Sequence, residues 1–194
     1  MFYLTLDILG TIAFALSGIS EAARKRYDVL GCLVCGYLVA VGGGTLRDVL
    51  LGREVFWLGD PLYLVLTGLT LMVFVGARPS MDALFVRRAT VIADTLGLAA
   101  FTLTGAHVAG DYEPWVAVIM GTLTGCAGSV IRDVLLAEEP RLLKTDFYAS
   151  ASIIGAAVFC ALQPNWYAYP TAFVIIIVLR LLAIRRGWRL PQIR

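Results

Sequence analysis

Arginine followed by aspartate occurs twice inside long apolar runs of this sequence, at Arg47-Asp48 and at Arg132-Asp133. A charged side chain at bilayer depth costs about 3 kcal/mol on insertion scales, so ionisable residues there mark structure or transport. Two more carboxylates, Asp7 and Asp94, lie in earlier apolar runs. Glycines precede each Arg-Asp pair: Gly42-Gly43-Gly44 in VGGGTLRDVLLG, and Gly125 and Gly128, followed by Ser129, in GCAGSVIRDVLL. These residue types suit the handling of ions in a water-poor interior. Carbonyls freed where a helix breaks replace part of a cation's hydration shell, and fixed charges select its sign. Catalysis is not indicated, because no HExxH, GxSxG or P-loop is present and the one histidine, His107, stands alone. Cys32, Cys35, Cys126 and Cys160 fall in apolar runs without the second pair that a zinc site needs. The chain is therefore not expected to be an enzyme, to carry a cofactor or to bind nucleic acid.

The two signatures belong to one repeated unit. Arg47 to Leu51 recurs at Arg132 to Leu136, an offset of 85 residues, and Tyr63 recurs as Tyr148. Upstream the offset is 87: Asp7, Gly10, Ala13, Phe14, Leu16 and Gly18 match Asp94, Gly97, Ala100, Phe101, Leu103 and Gly105. The matched positions define repeats over 1–80 and 86–163, with 164–194 as an addition, all in one membrane domain of 1–194.

Composition names the medium. Of 194 residues, 59% are hydrophobic and 15% charged, and the mean hydropathy is +0.81; soluble domains carry roughly 25% charge. The charges cluster and leave apolar runs of about 20 residues, the length that crosses a bilayer. The opening MFYLTLD lacks the basic start of a cleavable signal, so the first run is expected to be retained. Seven spans are expected, near Tyr3–Ser20, Val29–Leu51, Leu62–Val75, Ala89–Val108, Trp115–Ala137, Phe147–Leu162 and Trp166–Ile184.

Charge asymmetry orients them. Loops one, three and five and the C-terminus share a side, which holds Arg24, Lys25, Arg26, Arg78, Arg87, Arg88, Arg141, Lys144, Arg185, Arg186, Arg189 and Arg194; the other side holds Arg53. Twelve basic residues against one predict a multi-pass protein of the cell (inner) membrane with the N-terminus outside and the C-terminus cytoplasmic. Three spans per repeat make the second copy enter from the opposite side. The expected fold is thus all-α: two inverted three-helix repeats plus a seventh helix. Interrupted helices at matching places in such repeats point to a transport site, here in spans two and five.

Two expectations follow for the site. Successive helix positions lie about 100° apart, so each arginine is expected to meet a carboxylate at its own depth: Arg47 with Asp7, and Arg132 with Asp94. The alternative has Asp48 and Asp133 facing interfacial water while the arginines snorkel. Gly42-Gly43-Gly44 covers the whole circumference of a helix. That favours a kink or unwound turn able to hold a transient monovalent cation, over a packing stripe confined to one face. For Gly125 and Gly128 both readings stand. Ser17-Gly18 and Thr104-Gly105, matched across the repeats, suit either a path or packing.

Seven spans as three plus three plus one, with GGGTLRD in the second and GSVIRD in the fifth, resemble the trimeric intracellular cation (TRIC) channels, in particular their small prokaryotic members. The resemblance covers nearly the whole chain. It implies a homotrimer with a potassium-preferring pore in each protomer, lined by spans one, two, four and five and gated around glycine kinks. Potassium or sodium ions and membrane lipids would be its partners. By motif, the ion-path residues would be Gly42, Gly43, Gly44, Arg47, Asp48, Gly125, Gly128, Ser129, Arg132 and Asp133. Relatives of this bacterial type also carry the label of glycine transporter, so secondary transport of a small amino acid is the alternative reading. The place of the phosphoinositide motif of animal members reads LRDVLLGRE here, without their lysine.

Overall fold

The computed structural model describes residues 2–77, 83–144 and 147–188. The helices are α1 (Phe2–Arg24), α2 (Val29–Leu50), α3 (Leu62–Ala77), α4 (Ala83–Val108), α5 (Pro114–Leu135), the single turn α6 (Arg141–Lys144), α7 (Tyr148–Leu162) and α8 (Ala168–Arg186). No strand occurs among the described residues. In hydrocarbon only a helix satisfies each backbone group within its own segment, so apolar runs of this length fold no other way. Five of the helices are long and apolar enough to cross a membrane, whereas α3 and α7, with 16 and 15 residues, fall short of the roughly 20 that a full crossing takes.

Helix ends follow local chemistry. Asp28 caps α2 by accepting from the Gly31 amide at 2.7 Å, and Pro114 opens α5, where a missing N–H costs nothing. At its other end α8 stops at Gly187, whose φ of 61° is left-handed. Two helices outrun their apolar runs. α1 continues to Arg24, and α4 starts at Ala83, before Arg87 and Arg88. Arg24 in the last turn of α1 suits the negative end of the helix dipole. Arg78, Arg189 and Arg194, which belong to the basic side, lie outside the described residues, as do the side chains of Arg141 and Lys144.

At the centre α1 packs on α4 and α2 on α5; α3 lies against α1 and α2, α7 against α4 and α5, and α8 against α4 and α7. The pairing is reciprocal. Phe14 and Phe101, 87 positions apart, meet edge to face at 5.2 Å. Phe101 lies over Gly10 and Phe14 over Gly97, so each copy supplies a ring and the glycine that receives its partner's ring. The pseudo-two-fold axis passes between the two rings. The turns that end α2 and α5 also match: the amides of Arg53 and Glu138 reach the carbonyls of Asp48 and Asp133, both at 2.8 Å. Each turn has a left-handed residue, Gly52 at φ 65° in the first and Ala137 at φ 51° in the second.

Candidate functional site

The glycines contradict one expectation. α2 is helical without interruption through Gly42, Gly43 and Gly44, and α5 through Gly125, Gly128 and Ser129; no unwound turn frees carbonyls toward a cation. Close approach explains them instead. A Cβ at Gly43 would collide with the Thr124 carbonyl oxygen of α5, and one at Gly128 would stand 2.5 Å from the Val39 carbonyl oxygen of α2. Val39 and Thr124 are themselves 85 positions apart, so this is one crossing seen from its two sides. Gly42 receives Ile131, Gly44 receives the Phe56 ring, and Gly125 packs on α4 beside Leu98 and Thr102. Three successive glycines cover the circumference because three different neighbours press on it. Ser129 turns its hydroxyl back to the Cys126 carbonyl at 2.8 Å.

Beyond the crossing, in each direction, lies a buried charge cluster. In the second copy Arg132, 1% exposed, donates from Nη1 to Asp94 and to the Ser17 hydroxyl, both at 2.6 Å. Its Nε and Nη2 reach Asp133 at 2.9 and 2.8 Å. One guanidinium thereby ties α5 to α4 and to α1. Its planar fork of donors suits it to this, and an unpaired charge at this depth would be costly.

In the first copy the expected Arg47–Asp7 pair is not formed. Arg47 bonds Asp48 through Nε at 2.8 Å and Nη2 at 2.7 Å, and its guanidinium stands 5.6 Å from the Phe56 ring centre. Asp7 instead accepts from the Tyr63 hydroxyl at 2.6 Å, and Asp48 also accepts from the Phe56 amide at 3.1 Å. The angular argument fails because arginine is long enough to fold back on its neighbour. Both arginines do so, which also removes the alternative in which Asp48 and Asp133 face interfacial water: each is 2% exposed.

The structure also brings in residues whose part is not evident from sequence. Tyr63 stands out in the chain only as a repeat match, and Phe56 lies outside the spans. Arg180 on α8 is 5% exposed, with its guanidinium 4.8 Å from the Tyr148 ring centre. Its signal is plain, a lone arginine in the run FVIIIVLRLLAI. His107 donates to or accepts from the Tyr169 hydroxyl at 2.7 Å, which joins α4 to α8. At the basic face Glu138 meets Lys25 at 2.9 Å and Arg24 at 3.0 Å, and these cations, Lys25 foremost, hold its carboxyl below the usual carboxylate range.

Known proteins are similar to this chain in sequence and in fold. A family model described as glycine transporter matches residues 4–79 and 91–164. The UPF0126 inner membrane protein YadS of Escherichia coli (strain K12) is 39% identical over 96% of this chain and 93% of its own length. Among solved structures, the TRIC trimeric intracellular cation channel orthologue from Rhodobacter sphaeroides superposes with a TM-score of 0.88 at 32% identity, over 96% of this chain and 98% of that one. A prokaryotic TRIC channel in 0.5 M KCl gives 0.91 at 27% identity, over 98% and 99%.

Proposed function

We propose, for a chain that belongs to the family of the glycine-transporter model and the TRIC channels, that it conducts monovalent cations through a path inside each protomer of a homotrimer. One observation carries the sign of the ion. Each half of the site holds two carboxylates for one arginine, Asp7 and Asp48 with Arg47, and Asp94 and Asp133 with Arg132; the other buried carboxylate of these helices, Glu21, is paired with Arg24 at the end of α1. Each half therefore has a formal charge of −1, and carboxylate-lined constrictions pass cations. Potassium is the preferred ion by family likeness. The path is shut in this conformation, because the Gly43/Gly128 crossing leaves no gap and Arg132 bridges three helices. Opening separates α2 from α5 at that crossing and draws Arg132 from Ser17. The C-terminus faces the cytoplasm, on the side that carries Arg24, Lys25, Arg185 and Arg186.

Planar-bilayer recording of the purified protein under a potassium gradient tests this reading. Stepwise unitary currents that reverse near the potassium potential are expected. Saturable glycine uptake with no unitary current would replace the channel with the carrier.

A further inference from the structure

The two buried clusters neutralise their carboxylates unequally. Asp48 accepts from Nε and Nη2 of Arg47, and Asp133 from the same atoms of Arg132. Asp94 takes the remaining Nη1 of Arg132 at 2.6 Å. Asp7, its mate in the first copy, has no ion pair among the described residues; its Oδ2 accepts from the Tyr63 hydroxyl at 2.6 Å. The difference has a local cause. Ser17 shares Nη1 of Arg132 with Asp94, whereas its mate Thr104 turns its hydroxyl back to the Phe101 carbonyl at 3.3 Å. Thr104 therefore offers Arg47 nothing, and that guanidinium stands by the Phe56 ring.

A tyrosine hydroxyl is neutral. It orients a carboxylate and satisfies one of about four lone pairs, but it leaves the charge whole. The formal −1 of the first cluster thus rests on Asp7 alone, while that of the second is shared by two carboxylates around one guanidinium. Asp7 is 4% exposed and lies in the second turn of α1, about 8 Å from its start. A lone anion at that depth is costly until a cation comes to it.

We propose that Asp7 binds the permeating monovalent cation in the outer half of the path and sets the preference for cations over anions. The role presupposes the cation path proposed above. Tyr63 is the positioning residue: by holding Oδ2 it leaves Oδ1 for the ion. Even in a water-like medium, a carboxylate about 4 Å away favours a cation roughly fivefold and disfavours an anion by as much. Together these supply roughly a 30-fold cation preference.

Reversal potentials in planar bilayers under a KCl gradient test this role. Asp7→Asn keeps the size of the side chain and an oxygen for Tyr63. Unitary currents should persist, while the cation-over-anion permeability ratio falls roughly 30-fold. Tyr63→Phe keeps the charge but releases Oδ2, so the ratio should hold while unitary conductance falls. Melting curves show whether each variant is folded. Wild-type protein without unitary currents would sink the channel reading and this role with it. A conducting wild type beside an Asp7→Asn variant of unchanged reversal potential would overturn the role of Asp7 alone. If Asp7→Asn does not fold, Asp7→Glu decides: it shifts the carboxylate by one methylene, and unaltered unitary conductance would overturn the role.

Discussion

Gly43→Ala separates a tight crossing from a flexible one. Alanine is favoured over glycine in a helix interior by about 1 kcal/mol, so in open space the substitution would stabilise α2. Gly68 in α3 offers that open space, since nothing stands within 4 Å of the point to which an added methyl group would project. At Gly43 the new methyl meets the Thr124 carbonyl oxygen, a backbone atom that cannot rotate away. Overpacking of this kind costs about 1–3 kcal/mol. The propensity gain is the same at both positions and cancels in the comparison, so Gly43→Ala should be less stable than Gly68→Ala by about 1–3 kcal/mol. For a chain of this size that is a melting-temperature gap of roughly 2–12 °C. Thermal unfolding in detergent, followed by circular dichroism, measures it. Equal melting temperatures for the two variants would refute the crossing, and with it the idea that opening pivots there.

Other expectations follow from the charge clusters and the turns. A double-mutant cycle on Arg132→Ala and Asp94→Ala should show coupling of at least about 1 kcal/mol, and the cycle on Arg47→Ala and Asp7→Ala, which share no direct bond, should show a smaller one; unfolding in detergent gives both values. Ala137→Gly should raise stability by roughly 1 kcal/mol, because Ala137 stands at φ 51° where its repeat mate is Gly52, and a melting temperature that falls would contradict this. The carboxyl of Glu138 is held below its unfolded value by Lys25 and Arg24. Its contribution is thus present above the ordinary glutamate range, near pH 4.5, and is lost as pH falls through the lower folded value. Glu138→Gln should therefore cost under about 1 kcal/mol at pH 7 and nothing once the carboxyl is protonated, as melting curves at two pH values would show.

Much of the fold is legible in the chain. Apolar length sets helices in a bilayer, and the offsets of 85 and 87 residues, read with three spans per repeat, imply the inverted pair. The apolar runs place Arg47, Asp48, Arg132 and Asp133 at bilayer depth, but that all four are buried instead of facing interfacial water is decided by packing. The partner of each group is decided elsewhere. Asp7 and Asp94 are equivalent by spacing, yet one takes a tyrosine hydroxyl and the other an arginine, since a side chain as long as arginine reaches several carboxylates and packing decides among them. The glycine triplet is equally ambiguous in sequence, because a residue without a side chain serves an unwound turn and a close crossing alike. Only the position of Thr124 on the facing helix decides, and that position exists only once α2 and α5 have packed. The same holds for α8: its length is written in the chain, but that it covers the groove between α4 and α7, and leaves the matching groove between α1 and α3 open, depends on small residues at Ala99 and Gly155 facing it, where the first copy has Ile12 and Thr70.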